Sequence, residues 1–170
     1  MLHNIKTASD AAHKLIRRYG TRDPQKIAAA LEIEIETLPF KRQKGVYTVL
    51  DRQPVIIVKE GLHPITRSIV IAHELGHHIL HQKQLKETPY LQEFNIFDMT
   101  NKQMEYEANL FVSALLLPDD EVLEYIQQGY NVADIAKAMN SDINLVALKV
   151  STFISQGKPF REQEYRNKIY

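Results

Sequence analysis

The chain has 170 residues, 44% of them hydrophobic and 25% charged, which is the size and balance of one soluble globular domain with room for a small appended subdomain. Lysine plus arginine and aspartate plus glutamate both number 21, so the formal net charge is zero and a generally basic surface for nucleic acid or anionic membrane is excluded. There is no cysteine, so disulfides and thiolate metal sites are excluded and any zinc must sit on histidine and carboxylate.

Met1–Lys6 lacks the apolar core of a signal peptide. The longest apolar-rich run, Leu110–Leu117, is far shorter than a membrane span. A cytoplasmic protein with no membrane partner is the expectation. Ala8, Ala11, Ala12, Leu15, Ile16 and Tyr19 form one apolar stripe of a helix that ends at Gly20. Asp23-Pro24 reads as an N-cap followed by proline at the first position of a short helix through Leu31. Ile33, Ile35 and Thr37 alternate with Glu32, Glu34 and Glu36, a half-buried strand closed by Pro39. Val46–Leu50 and Val55–Val58, joined by the turn-like Asp51-Arg52-Gln53-Pro54, read as a hairpin. Its second arm is apolar throughout, which implies cover on both faces.

Gly61 and Pro64 break the chain before Ile69–His81, a stretch with no proline and one glycine that suits a helix. Five of the seven histidines fall between His63 and His81. On a helix, His73 and His77 of His73-Glu74-Leu75-Gly76-His77 lie one turn apart on one face, with a rise of about 6 Å between them. Two imidazoles so placed can hold one zinc ion at about 2.0–2.1 Å each. Glu74, beside the first histidine, is placed to act as general base on a water at that ion. A catalytic zinc site needs a third protein ligand and an open position.

Residues 83–100 mix polar residues with Tyr90, Leu91, Phe94, Ile96, Phe97 and Met99. Packing over the core is the expectation there, with a lid across the cleft as the alternative. Thr100–Gln103 opens a second long helix that runs to Leu117 and is stopped by Pro118. Three further helical segments follow near 119–128, 131–139 and 142–155, and the polar last fifteen residues are expected to fray.

The third ligand is sought on the helix after residue 100, which offers Glu105 and Glu107. Two positions apart, they cannot both face one metal. His81 lies about 12 Å along the helix from His73, too far for one ion to gather all three histidines. Glu105 is preferred because Asn109, its i+4 neighbour, could accept a hydrogen bond from the ring N–H of a liganding histidine. Glu107 has Leu110 and Phe111 at i+3 and i+4, a less polar setting. His78 and His81 are expected on the helix surface, and His63 in a turn. Tyr47, His63, Tyr90 and Tyr106 stay open as groups that steady an oxyanion.

His73-Glu74-Leu75-Gly76-His77, then Glu105-Tyr106-Glu107-Ala108-Asn109-Leu110-Phe111, then Leu115-Leu116-Leu117-Pro118 together resemble the ImmA/IrrE family of gluzincin-like zinc metallopeptidases. Val112, where the family often carries alanine, is a mild departure. The resemblance implies one Zn2+ on His73, His77 and Glu105, Glu74 as the catalytic residue, and cleavage of a partner helix-turn-helix repressor from a phage or mobile element. The chain is similar to the short form of the family, without a long C-terminal sensor domain.

The fold class expected is α+β: a zincin-like, small antiparallel three-stranded sheet packed on the active-site helix within a mainly helical domain. Residues 1–118 form the metallopeptidase core and 119–170 a helical extension packed with it. That extension resembles a helix-turn-helix, but its second helix, from Ile143 to Ile154, is largely apolar with Lys149 alone, whereas base and phosphate contacts need polar, basic side chains. Direct nucleic-acid binding is therefore not expected. The competing reading is a zincin-like regulator that binds a repressor or DNA without cutting.

Overall fold

The structure, a computed structural model, describes residues 2–87 and 99–158. Helix α1 (Leu2–Tyr19) buries Ile5, Ala8, Ala12 and Leu15, the helical spacing of one apolar face. It ends on Gly20, whose φ of +66° suits a residue without a Cβ and whose N–H reaches the Ile16 carbonyl at 2.8 Å. Helix α2 (Pro24–Ala30) starts as its sequence dictates: Asp23 Oδ1 accepts from the Gln25 N–H at 2.9 Å, and Pro24 takes the first helical position.

Three strands follow, β1 (Glu34–Leu38), β2 (Gly45–Leu50) and β3 (Gln53–Lys59), in the spatial order β1-β3-β2. The sheet is mixed, not antiparallel as the sequence suggested: β2 pairs antiparallel with β3, but β1 pairs parallel with it, Glu34 opposite Val55 and Leu38 opposite Lys59. The cause is the link 39–44. It crosses the end of β3, fastened by Glu60 N–H to Leu38 O and Lys59 N–H to Lys44 O. The hairpin therefore returns its second arm between the other two strands. That arm carries Val55, Ile56 and Val58, all buried, and the centre is where a continuous apolar run is covered on both faces. The turn is also tighter than its sequence suggested. Asp51 and Arg52, with φ of +48° and +71°, make a two-residue connection of the primed type, and Gln53-Pro54 already belong to β3.

Helix α3 (Pro64–Glu87) packs on β2 and β3, and α4 (Met99–Leu116) packs on α3 and α1. Between α3 and α4 the backbones come close at Gly76, where a Cβ would sit 3.1 Å from Phe111 Cδ1 and 3.4 Å from Ala108 Cα. The expectation for residues 83–100 falls largely on 88–98, which lie outside the described residues.

Helices α5 (Asp119–Gln127), α6 (Val132–Ala138) and α7 (Ile143–Ser155) complete the described residues. Asn131 and Asp142 cap the last two, accepting from the Asp134 and Asn144 N–H groups. Helix α7 buries Leu145, Val146, Val150 and Phe153 and packs on α6 and α4. Lys149 is buried with them and pairs with Asp119. Arg22 donates to the Ala114 and Leu115 carbonyls at 3.0 and 2.9 Å, satisfying groups at the end of α4. No helix among the described residues is long and apolar enough to cross a membrane.

Candidate metal centre

Helix α3 presents His73 and His77 on one face, and the close contact at Gly76 brings α4 near enough to add Glu105. The two Nε2 atoms and the two Glu105 oxygens form a tight cluster. His73 Nε2 lies 3.0 Å from Glu105 Oε2, His77 Nε2 lies 3.2 Å from Glu105 Oε1, and the two Nε2 atoms are 3.1 Å apart. Four tetrahedral ligands at about 2.0–2.1 Å stand roughly 3.3 Å from one another. The spacings are close to those separations, and a donor set of two imidazoles and one carboxylate suits that ion. Among the described residues, this is the group of histidine and acidic side chains that could hold a metal.

Each imidazole is held from behind. His73 Nδ1 lies 3.0 Å from Asn109 Oδ1. An amide oxygen only accepts, so Nδ1 carries a proton, and in the neutral ring Nε2 is then the atom with a lone pair to offer a metal. His77 Nδ1 lies 3.1 Å from His81 Nδ1, and His81 Nε2 lies 3.0 Å from Glu107 Oε2. His81 was expected on the surface; it is only 1% exposed, because it turns inward along the stripe of His73 and His77 to meet Glu107. Glu107, read from sequence as the less polar setting, has His81 and Gln103 as partners. The signal for both lay in the i+4 spacings His77–His81 and Gln103–Glu107.

Electrostatics separate the two carboxylates nearest the centre. Burial works against the ionised form of Glu105, but the closeness of the two imidazoles, His73 and His77, outweighs it and holds its carboxyl well below the usual range. Glu74 is buried beside His73 and goes the other way. Desolvation, aided by the Glu105 charge, pushes it up to about 7, against the pull of His73 and of the Tyr47 main-chain N–H that donates to it. Gly45 lies against the same carboxylate: a Cβ there would come 2.9 Å from Glu74 Oε1 and would collide with the Val70 side chain.

The Tyr47 hydroxyl is bonded to His78 Nδ1 at 2.9 Å, four residues further along α3 than Glu74. His78 is therefore half-buried against the sheet rather than on an open helix surface. The Ile65 N–H donates to His63 Nδ1 at 3.4 Å, as a turn residue does. Tyr106 is half-buried, and Tyr90 lies outside the described residues.

Comparison with known proteins converges on one family. The family model Peptidase M78, described as IrrE N-terminal-like domain, matches residues 28–151. A relative from Bacillus phage phi105, named immunity region protein 2, is 32% identical over 142 residues, 82% of this chain and 86% of its own length. Metallopeptidase ImmA of Bacillus subtilis strain 168 is 29% identical over 180 aligned positions, 98% of this chain and 94% of its own length. The folded arrangement of α3 and α4 and the match over most of the chain point the same way: this chain belongs to the ImmA/IrrE family of M78 metallopeptidases.

Proposed function

We propose that this peptidase holds one zinc ion through His73, His77 and Glu105, and that Glu74 is its catalytic base. When bound, the ion makes water nucleophilic near neutral pH and polarises the scissile carbonyl. Glu74, which lies against Gly45 of β2, takes the proton of the attacking water and returns it to the leaving amine. Burial keeps Glu74 basic enough for both transfers.

The substrate is held as an extended strand. Lys44, just before β2, directs its carbonyl toward β3, so by strand alternation Gly45, Tyr47 and Val49 direct their main-chain groups outward along the free edge, the Tyr47 N–H on the side of Glu74. An added strand there would run past Glu74. The proposed substrate is a helix-turn-helix repressor, supported by the immunity-region name of the phage relative and by the family resemblance. Residues 1–118 are read as the catalytic core and 119–170 as a helical extension. Its α7 keeps Lys149 in an internal ion pair, which leaves that helix without a basic side chain for phosphate.

The observation that carries this reading is the cluster of His73, His77 and Glu105 donors. The test is to incubate the protein with the repressor encoded nearest its own gene, with and without chelator. Cleavage lost on chelation and restored by one equivalent of Zn2+ is expected. Cleavage that survives chelation, or survives Glu74→Gln with zinc still bound, would sink the mechanism.

A further inference from the structure

We infer that His81 and Glu107 are positioning residues that fix the proton on His77 and so set how tightly the protein holds its metal. The inference rests on the metal reading of His77 given above. It follows from the order of donors and acceptors along the chain Glu107–His81–His77.

The carboxylate of Glu107 can only accept. His81 Nε2, 3.0 Å from Glu107 Oε2, must therefore carry a hydrogen. In neutral His81 the other nitrogen, Nδ1, then has a lone pair. That lone pair faces His77 Nδ1 at 3.1 Å, so His77 Nδ1 must donate, which leaves the His77 Nε2 lone pair for the cation that would sit between it, His73 Nε2 and the Glu105 carboxylate 3.2 Å away. One carboxylate thus dictates two tautomers in series. Gln103 Nε2 donates to the second Glu107 oxygen at 2.9 Å and keeps that carboxylate from turning. The two ligands are therefore backed unequally. His73 leans on a neutral amide, whereas His77 leans on an imidazole that is itself polarised by a carboxylate, the arrangement that raises ligand basicity.

His81 is buried deeply enough that its hydrogen bonds are fixed rather than shared with solvent. An apolar ring of similar bulk would fill the space but leave the His77 Nδ1–H without an acceptor. His77 would then be free to carry its proton on Nε2, where it blocks the metal.

The test measures zinc affinity by competition with a fluorescent chelator for the full-length wild type, His81→Phe and Glu107→Leu, alongside the unfolding midpoint of each chelated protein. Both variants are expected to bind zinc about 10–100-fold more weakly, with midpoints that do not follow the loss. The second readout is the histidine 15N spectrum of the zinc-loaded wild type, expected to place hydrogens on His77 Nδ1 and His81 Nε2. Affinities within twofold of wild type, or a hydrogen on His81 Nδ1, overturn the inference. Should neither variant fold, the wild-type spectrum decides alone. A wild type that takes up no zinc sinks the metal reading itself, an outcome distinct from variants that bind as tightly as their parent.

Discussion

Gly45 of β2 lies against the carboxylate of Glu74, so close that a Cβ there would come 2.9 Å from Glu74 Oε1, and the free edge of the sheet and the acid on α3 thus meet at one point. A strand laid along that edge would meet Glu74 in a fixed position. Proximity of this kind, set by backbone rather than by a flexible side chain, keeps a base within reach of its proton without further ordering.

Glu74→Gln should keep zinc and lose about 10²–10⁴-fold in turnover. It should also change the pH dependence of stability in chelator. The folded-state pKa of Glu74 is raised from 4.5 to about 7, so the folded protein binds the extra proton between those values. Its contribution is fully present below pH 4.5 and is lost as pH rises through 7. The full difference is of order 3 kcal/mol at about 1.4 kcal/mol per unit. Urea denaturation at pH 5 and pH 8 should show wild type falling relative to the variant. Parallel curves would remove the buried-charge account.

Glu105 and Asn109 should separate cleanly in metal analysis. Glu105→Ala removes a donor from the cluster and should abolish stoichiometric zinc after gel filtration. Asn109→Ala removes only the acceptor behind His73 Nδ1 and should retain zinc with affinity about 10–100-fold lower. Equal zinc content in Glu105→Ala and wild type would reassign the third ligand.

Gly45→Ala should injure activity more than its size suggests. Its Cβ would collide with Val70 and press on Glu74 Oε1, moving either β2 or the carboxylate. We expect about 1–3 kcal/mol of lost stability and at least a tenfold fall in kcat/KM with zinc content unchanged. Unaltered kinetics would mean that the edge and the acid are not rigidly coupled.

The Asp119–Lys149 pair should behave asymmetrically. Burial lowers the Lys149 pKa, against the pull of Asp119. Asp119→Ala strands a buried ammonium and should cost about 2 kcal/mol, below the figure for a fully buried pair because Asp119 is half exposed. Lys149→Met should be neutral or stabilising. Chemical denaturation of both variants at pH 7 checks the ordering.

The local part of the site was legible because two histidines four apart on a helix need no tertiary information to share a face. Asn109 was legible for the same reason, as the i+4 neighbour of Glu105, and the structure sets its oxygen 3.0 Å from His73. The parallel register of β1 was not legible. It depends on which side of β3 the link 39–44 passes, and nothing in those residues encodes a side. The inward turn of His81 was not legible because its partner Glu107 comes from α4, and no spacing within α3 encodes that meeting.

The contact at Gly76 carries a consequence for which ion the protein prefers. In the proposed site two donors come from α3 and one from α4, so the width of the opening between them follows the distance between two helices, which come close where Gly76 meets Ala108 and Phe111. A methyl group added there would act as a shim. By pressing on Phe111 and Ala108 it would move the donors of α3 away from Glu105 and shift the proposed site's preference from zinc toward a larger cation such as cadmium, without altering any donor.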